Sequence, residues 1–131
     1  MVQSILLLLN NYMREIKFRA KIKNTGELFY FDIKTSDTNF AEIDWNTISQ
    51  YTGLKDKNGK EIYEGDILLC DWDDKRYPPH NIDPVKWDKE NASWDLGEGG
   101  SPWQDAKTHF EVIGNIYENP ELLQANESTS Q

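Results

Sequence analysis

The sequence is poor in the residue types on which many catalytic and metal sites depend. It contains a single cysteine, Cys70, and two histidines among 131 residues. No disulfide can therefore form within the chain, and a zinc site made of cysteines alone is excluded. The glycines form no phosphate-binding loop with a following Lys-Ser or Lys-Thr pair. A lone thiol suits a reducing compartment, so we expect a cytoplasmic protein that needs no cofactor.

Long hydrophobic runs are also missing. The strongest apolar run is Ile5 to Leu9, far shorter than the roughly 20 residues that cross a bilayer. No Lys or Arg precedes it and no small-residue cleavage site follows it, so a secretory signal is not predicted. Residues 1–12 are either a short apolar arm that docks on something or an extension from a start codon placed too early, with Met13 as the natural start. We favour the extension and expect residues 1–12 to contribute little to the fold.

Positive charge is scarce and unevenly distributed. The chain has 14 Lys and Arg against 23 Asp and Glu, a net charge of −9. Residues 1–50 hold six basic and six acidic side chains, whereas residues 51–131 hold eight basic and 17 acidic. Such a surface repels nucleic acid and anionic membranes. The exception is the stretch 14–23, whose five basic residues form either a patch for an acidic partner or one solvated face of a strand.

Residues 13–50 are predicted to form an N-terminal β-hairpin and a junction. Ile16, Phe18, Ala20 and Ile22 alternate with basic residues, the pattern of a half-buried strand. A turn at residues 24–26 leads into a second strand at 28–31. Residues 32–50 lack periodicity and are predicted to be an irregular junction, with a short helical turn at 41–49.

Residues 51–124 carry the signals of a compact β unit. Asn58-Gly59 is typical of a hairpin with a type I′ turn, and Glu64-Gly65-Asp66 marks the next reversal. The run 67–72 is apolar on both faces and predicts a central strand. Further strands are predicted at 85–87, 92–96 and 109–117, with a bulge at Gly114 and one or two helical turns after Asn119. The fold class is therefore mainly β, with a small SH3-like barrel at residues 51–124 and a flexible tail at 125–131.

Two groups of residues are candidates for chemistry. Asp71, Asp73 and Asp74 are the densest carboxylates, and such oxygens can hold Mg²⁺ in a nuclease. Their spacing fits no metal motif, so we predict no metal site. Cys70 with His80 or His109 could be drawn as a nucleophile and base. Cys70 lies in an apolar strand, however, where a buried thiol is inert.

The tryptophans are the best candidates for a binding surface. Four of them fall within 32 residues, more than one small core can bury. Core packing is the favoured role, and an exposed aromatic patch that binds protein is the alternative. The four residues are Trp72, Trp87, Trp94 and Trp103.

Three blocks of the sequence resemble the YopX family, a group of small phage and prophage proteins of unknown function. The blocks are MREIKFRA at 13–20, YTGLKDKNGKEIYEGDI at 51–67, and FEVIGNIYENPELL at 110–123. The resemblance implies a C-terminal SH3-type barrel, self-association and no known enzyme activity. Residues 73–109 match no motif of the family.

We therefore predict a non-catalytic accessory protein of a phage or prophage, in the cytoplasm of a bacterial host. Its partner would be another protein or a second copy of itself. One alternative is an acidic DNA mimic that inhibits a host DNA-binding enzyme, which the net charge motivates and the mixed-sign stretch 55–61 opposes. The other is a nuclease that uses the aspartates at 71, 73 and 74.

Overall fold

A computed structural model describes residues 2–12, 14–32, 40–70, 81–97 and 102–124 of the chain. The helices are α1 (Val2–Tyr12) and α2 (Pro102–His109). The strands are β1 (Lys17–Ile22), β2 (Leu28–Asp32), β3 (Ile43–Lys55), β4 (Glu61–Tyr63), β5 (Asp66–Cys70), β6 (Asn81–Pro84), β7 (Lys86–Asp88), β8 (Ser93–Asp95) and β9 (Phe110–Asn115). The protein is mainly β, as the sequence predicted.

The first sheet has four antiparallel strands in the order β2-β1-β3-β4. Its β1–β2 hairpin is the predicted one, and Gly26 takes a positive φ of 69° in the turn, a conformation that glycine adopts without a Cβ clash. The predicted second hairpin is β3–β4, but its turn is not type I′. Gly59 has a positive φ whereas Asn58 does not, because the Asp56 carboxylate accepts backbone N–H groups inside a longer loop.

Strand β3 differs most from the prediction. The helical turn expected at residues 41–49 is confined to a 3-10 turn at Phe40–Glu42, after which β3 runs for 13 residues. The strand crosses residues 50 and 51, where the sequence predicted a boundary between two segments. Its pairing with β1 is irregular because Thr47 turns back: Thr47 Oγ1 donates to the Asp44 carbonyl at 2.7 Å and accepts from Lys21 N at 2.8 Å. Because of this bulge, residues of β3 do not alternate between the two faces of the sheet along the whole strand, and the sequence pattern of a strand is lost.

The other strands form a three-stranded sheet, β6-β5-β9, and the hairpin β7–β8. Strand β5 is central, as predicted, with β6 and β9 antiparallel on either side. The bulge at Gly114 is confirmed by a register shift: Ile67 pairs with Gly114 and Leu68 with Val112. Glycine is required there, since a Cβ at this position would lie 2.6 Å from Asn119 Oδ1.

The predicted closed barrel is wrong for the part of the chain that the structure describes. There the antiparallel sheets are open, and no complete ladder joins β3 to β9. The β3–β4 loop contacts β9 instead, through a backbone bond from Lys57 N to the Phe110 carbonyl at 2.9 Å and through the Asp56 side chain, whose Oδ2 accepts from Val112 N at 3.0 Å. The Asp56 carboxylate thus accepts the hydrogen bond that a backbone carbonyl of a neighbouring strand would otherwise accept.

Two hydrophobic clusters hold the strands together. The larger one lies among β4, β5, β9 and α2, and the smaller one lies on one face of the first sheet. The larger cluster consists of Ile62, Leu68, Cys70, Val85, Leu96, Ala106 and Phe110, with Leu54, Trp94 and Val112 packed against it. The smaller consists of Ala20, Phe31 and Ile43, with Phe18, Phe29 and Ile48. The sequence did not predict α2, whose buried Ala106 closes the larger cluster.

The last element that the structure describes is the helical turn that the sequence predicted, over residues 121–124. Asn119 precedes it and Pro120 starts it, and the first bonds run from Leu122 N and Leu123 N to their carbonyls. At the other end of the chain, α1 is 11 residues long. Within the described ranges, no helix is long and apolar enough to cross a membrane.

Candidate functional site

Two acidic residues of the block 51–67, Asp56 and Asp66, are buried and help to build the fold. Asp71, Asp73 and Asp74, the carboxylates considered for a metal site, lie outside the described residues. Among those described, no group of His, Cys, Asp and Glu side chains is arranged to hold a metal ion. Cys70 is buried in β5, as expected of a thiol that packs as a small apolar side chain.

A buried ion pair links the N-terminal hairpin to residues 51–67. Arg19 on β1 is 4% exposed and Asp66 at the start of β5 is 1% exposed. Arg19 Nη2 lies 2.6 Å from Asp66 Oδ1, and the guanidinium stands 5.0 Å from the centre of the Tyr63 ring. Asp66 Oδ2 accepts a hydrogen bond from Tyr63 N at 2.8 Å. The pair therefore fixes the turn between β4 and β5 to the first sheet.

This geometry corrects the prediction for the basic stretch 14–23. Arg19 is neither solvated nor available to an acidic partner, because aromatic side chains of β3 and β4 cover that face of β1. Lys17 on the same face forms ion pairs with Glu15 and Glu61 and lies over the Tyr51 ring. The hydrogen bonds to Glu15 and Glu61 raise the pKa of Lys17. Two of the five basic residues are thus neutralised within the molecule.

The tyrosines around this pair make stability sensitive to alkaline pH. Burial, reinforced by the Glu61 charge, raises the pKa of Tyr63 from 10.0 to about 12. The unfolded chain releases this proton near pH 10 and the folded chain near pH 12, so the stability contribution is complete below pH 10 and is lost as pH rises through that window. We expect Tyr63→Phe to reduce this loss in urea unfolding midpoints measured from pH 9 to 12.

Tyr30→Phe is the matched control, since Tyr30 contacts the Tyr63 ring edge-on but is exposed. It should change the alkaline loss far less than Tyr63→Phe does, because the Tyr30 charge is only a minor cause of the raised Tyr63 pKa. Equal alkaline slopes for Tyr63→Phe and the wild type would contradict the assignment. Tyr51, whose pKa is raised by burial, and Lys17, whose pKa is raised by its hydrogen bonds to Glu15 and Glu61, contribute to the part of the loss that remains.

Asp56 performs a similar structural role at the tip of the β3–β4 hairpin. Its Oδ1 accepts hydrogen bonds from Asn58 N and Lys60 N, both at 2.9 Å. Its Oδ2 accepts from Val112 N on the last strand, and the residue is 4% exposed. The two aspartates therefore serve as backbone acceptors, Asp56 for three N–H groups and Asp66 for one, and neither is left free for catalysis.

Two of the four predicted tryptophans form a cross-strand pair. Trp87 on β7 faces Trp94 on β8, with ring centroids 4.9 Å apart in an edge-to-face contact. Trp94 packs against the larger cluster and Trp87 is 43% exposed. Trp72 and the side chain of Trp103 lie outside the described residues. Beside the hairpin, a shallow polar cleft of about 310 Å³ is lined by Asp83, Pro84, Lys86, Asp95 and Gly97.

One exposed aromatic surface among the described residues was not predicted from the sequence. On the first sheet, Phe31 stacks between Phe18 and Phe29, with centroids 5.8 and 5.9 Å away. Phe40 meets Phe31 edge-on at 5.8 Å and stacks on Trp45 at 5.7 Å. Phe40 is 46% exposed and Trp45 is 52% exposed. We call these five residues the aromatic face.

The signal for this face was present but weak in the sequence. Phe40 and Trp45 occur in the aperiodic stretch 32–50, where no strand period marked one side as buried or exposed. The 3-10 turn brings Phe40 against the Phe31 ring, and the irregular start of β3 brings Trp45 against Phe40. A search for tryptophan clusters along the chain could not find a surface that depends on those two irregular elements.

The site so described belongs to a small, mainly antiparallel β protein with an exposed aromatic surface among the residues described. The family profile of YopX protein matches residues 9–124, and the chain belongs to this family. It is similar to the crystal structure of protein EF1440 from Enterococcus faecalis, with 30% identity and a TM-score of 0.58. That alignment covers 82% of this chain and 97% of the other. A comparison with curated proteins finds no match.

Proposed function

We propose that the protein is a non-catalytic module that binds another polypeptide through the aromatic face. One observation carries the proposal: Phe40 and Trp45, which are 46% and 52% exposed, stack on each other at the end of the row of rings on the first sheet. Contiguous exposed apolar surface rimmed by polar residues marks interaction sites on proteins. Aromatic side chains are also the residues most enriched at the centres of protein interfaces.

The surroundings of the aromatic face favour a polypeptide over a nucleic acid. Stacking platforms for single-stranded nucleic acid combine aromatic rings with basic side chains that follow the phosphates. Lys17 and Arg19, the basic residues of β1 that the structure pairs with Glu61 and Asp66, lie on the opposite face of the sheet. Neither of them therefore contributes a cation beside the aromatic rings.

The scaffold and setting of this module are part of the proposal. Residues 51–124 would supply an SH3-type arrangement of short strands, with Asp56 and the Lys57–Phe110 bond joining its two sides. The family membership and the Enterococcus faecalis relative support a role in the cytoplasm of a bacterial cell, as an accessory protein of a phage or prophage. The DNA-mimic alternative depends on the net charge of −9, of which Asp56 and Asp66 are buried and unavailable.

Peptide selection tests the proposed function directly. Peptides selected from a random display library on the wild-type protein should bind the aromatic face. We expect Trp45→Ala to weaken their binding about tenfold or more, as truncation of a buried aromatic anchor does. Dissociation constants are measured by fluorescence anisotropy of the labelled peptides.

Trp87→Ala is the matched control, because it removes an equally large and similarly exposed ring from another surface. It should leave peptide binding unchanged. Peptides that lose affinity to Trp87→Ala and keep it for Trp45→Ala would move the site to the β7–β8 hairpin. A library that yields no binders, or turnover of a substrate by the purified protein, would overturn the proposal.

A further inference from the structure

Helix α1 exposes an apolar surface that a packing partner would bury. Val2, Ile5 and the four leucines at 6–9 are between 52% and 72% exposed. These side chains surround the helix, and the helix carries no acidic residue in its first turn and no basic residue in its last. A helix of 11 residues is marginal in water by itself and takes its stability from packing. The neighbouring parts of its own chain leave it exposed.

The aromatic face has the size and character to receive this helix. A helix of 11 residues is about 16 Å long, which is comparable to the three centroid steps of 5.9, 5.8 and 5.7 Å from Phe29 to Trp45. Both surfaces are uncharged and apolar. Aliphatic side chains of a helix interdigitate with a row of rings without leaving a buried polar group unpaired.

We propose that α1 of one copy packs on the aromatic face of a second copy, and that the exchange is reciprocal. This proposal rests on the proposed function and names the polypeptide that the face binds. A reciprocal exchange gives a closed two-fold dimer in which each copy donates one helix and receives one. The contact uses the two exposed apolar surfaces of residues 2–45 and leaves the Trp87–Trp94 hairpin free.

Charge places the contact at this end of the molecule. Residues 1–50 have no net charge and residues 51–131 carry the whole −9. Two copies that meet through their N-terminal parts keep their acidic parts apart, whereas contact through residues 51–131 would bring like charges together. Since salt screens the remaining repulsion, dimerisation should strengthen as ionic strength rises. An interface held by ion pairs would show the opposite trend.

The area of the contact explains why the exchange should be reciprocal. One helix of this length covers on the order of 500 Å² of the surface it meets, below the roughly 800 Å² per partner of a stable interface. Two such contacts related by a two-fold axis exceed that threshold. A single helix on a single face would form only a weak complex.

Sedimentation velocity over a range of protein concentrations measures the association. The wild type should shift from monomer to dimer as its concentration increases. Leu6→Asp in α1 and Trp45→Ala in the face should each raise the dimer dissociation constant about tenfold or more. The matched controls are Gln3→Asp, which adds the same charge to a polar position of α1, and Trp87→Ala; both should remain dimeric. Unchanged circular dichroism spectra show that the variants fold.

Mixing the two defective variants separates this arrangement from the alternatives. Leu6→Asp keeps an intact face and Trp45→Ala keeps an intact helix, so the mixture should form a heterodimer through one complete contact, weaker than the wild-type dimer and tighter than the self-association of either variant alone. Helices that paired with each other would leave Trp45→Ala dimeric, and faces that paired would leave Leu6→Asp dimeric; either result overturns the proposal. Binding of the wild type to phosphatidylcholine vesicles that is lost in Leu6→Asp, without self-association, would assign α1 to lipid instead.

The two proposals can fail separately. A wild type that is monomeric at every concentration, yet still binds selected peptides through Trp45, would overturn the dimer and leave the binding function standing. Dimerisation that is insensitive to Trp45→Ala, together with selected peptides that bind elsewhere, would overturn both.

Discussion

Asp66→Asn is expected to lower the free energy of unfolding by about 3–5 kcal/mol, because it leaves the buried Arg19 charge without its counter-ion. The asparagine oxygen can still accept the hydrogen bond from Tyr63 N. The measured loss of stability therefore reports the ion pair and not the hydrogen bond that holds the turn. Arg19 cannot escape by losing its proton, since a guanidinium stays charged throughout the working pH range. Against a total stability of roughly 5–15 kcal/mol, this is a large fraction. Urea unfolding followed by circular dichroism gives the value.

Arg19→Met should be milder and should depend on pH. Burial raises the pKa of Asp66, and the Arg19 charge opposes that rise. Without Arg19 the carboxyl can take up a proton, so the destabilisation should be largest at neutral pH and should shrink as the solution is acidified. The double variant Arg19→Met, Asp66→Asn should recover part of the stability lost by Asp66→Asn alone, since no unpaired charge is left buried.

Lys17→Met supplies the control on the same strand. Its ion pairs with Glu15 and Glu61 are partly exposed, so solvent screens them and their removal should have a far smaller effect. If Asp66→Asn were no more destabilising than Lys17→Met, the pair would not hold the first sheet to the β4–β5 turn.

Asp56→Ala is the second substitution with a large expected effect. It removes the acceptor of three backbone N–H groups, those of Asn58, Lys60 and Val112. Hydrogen bonds to a charged group contribute about 1.5–3 kcal/mol each, and donors left buried add a desolvation penalty. Because the three bonds share one acceptor and are not additive, we expect a total loss of about 3–5 kcal/mol.

Hydrogen exchange shows whether the loss occurs at the expected place. In Asp56→Ala the amides of Lys60 and Val112 should exchange faster than the rest of β3 and β9. Asp88→Ala is the matched control, because Asp88 also accepts two backbone N–H groups, from Glu90 and Asn91, but in an exposed turn. It should leave the unfolding midpoint close to that of the wild type. Slow exchange of Val112 in Asp56→Ala would contradict the role given to Oδ2.

The sequence predicted the elements that depend on local chemistry. The β1–β2 hairpin, the reversal at Gly65 and the bulge at Gly114 all follow from residues that are neighbours along the chain. Gly65 has a positive φ of 83°, which its place between two apolar runs indicated. The helical turn after Asn119 likewise follows from adjacent residues with capping chemistry.

The features that were missed depend on contacts between distant residues. Arg19 alternates correctly with Phe18 and Ala20, but Tyr63, more than 40 residues later, covers the side of β1 that alternation assigns to water. The period of two indicates which residues share a face, and it does not indicate whether both faces are covered. In β3 the bulge at Thr47 breaks that period altogether.

The binding surface predicted among the tryptophans stays a prediction, and the site proposed from the structure lies elsewhere along the chain. An exposed aromatic surface was expected among the tryptophans at 72–103, where Trp87 and Trp94 do form a pair. The more exposed surface is built from Phe40 and Trp45, which gain neighbours only when the first sheet has formed. Density of tryptophan in the sequence therefore indicates packing as much as it indicates binding.

The bond between Asp56 and Val112 joins residues separated by 56 positions. As the chain leaves the ribosome, the β3–β4 hairpin emerges long before β9. Until β9 has been synthesised, Asp56 Oδ2 lacks the Val112 N–H donor. The same delay applies to β5, whose partner β9 lies 40 or more residues later along the chain. Folding of this sheet should therefore be completed only once β9 has left the ribosome, and a nascent chain halted before β9 would present an incomplete sheet to chaperones.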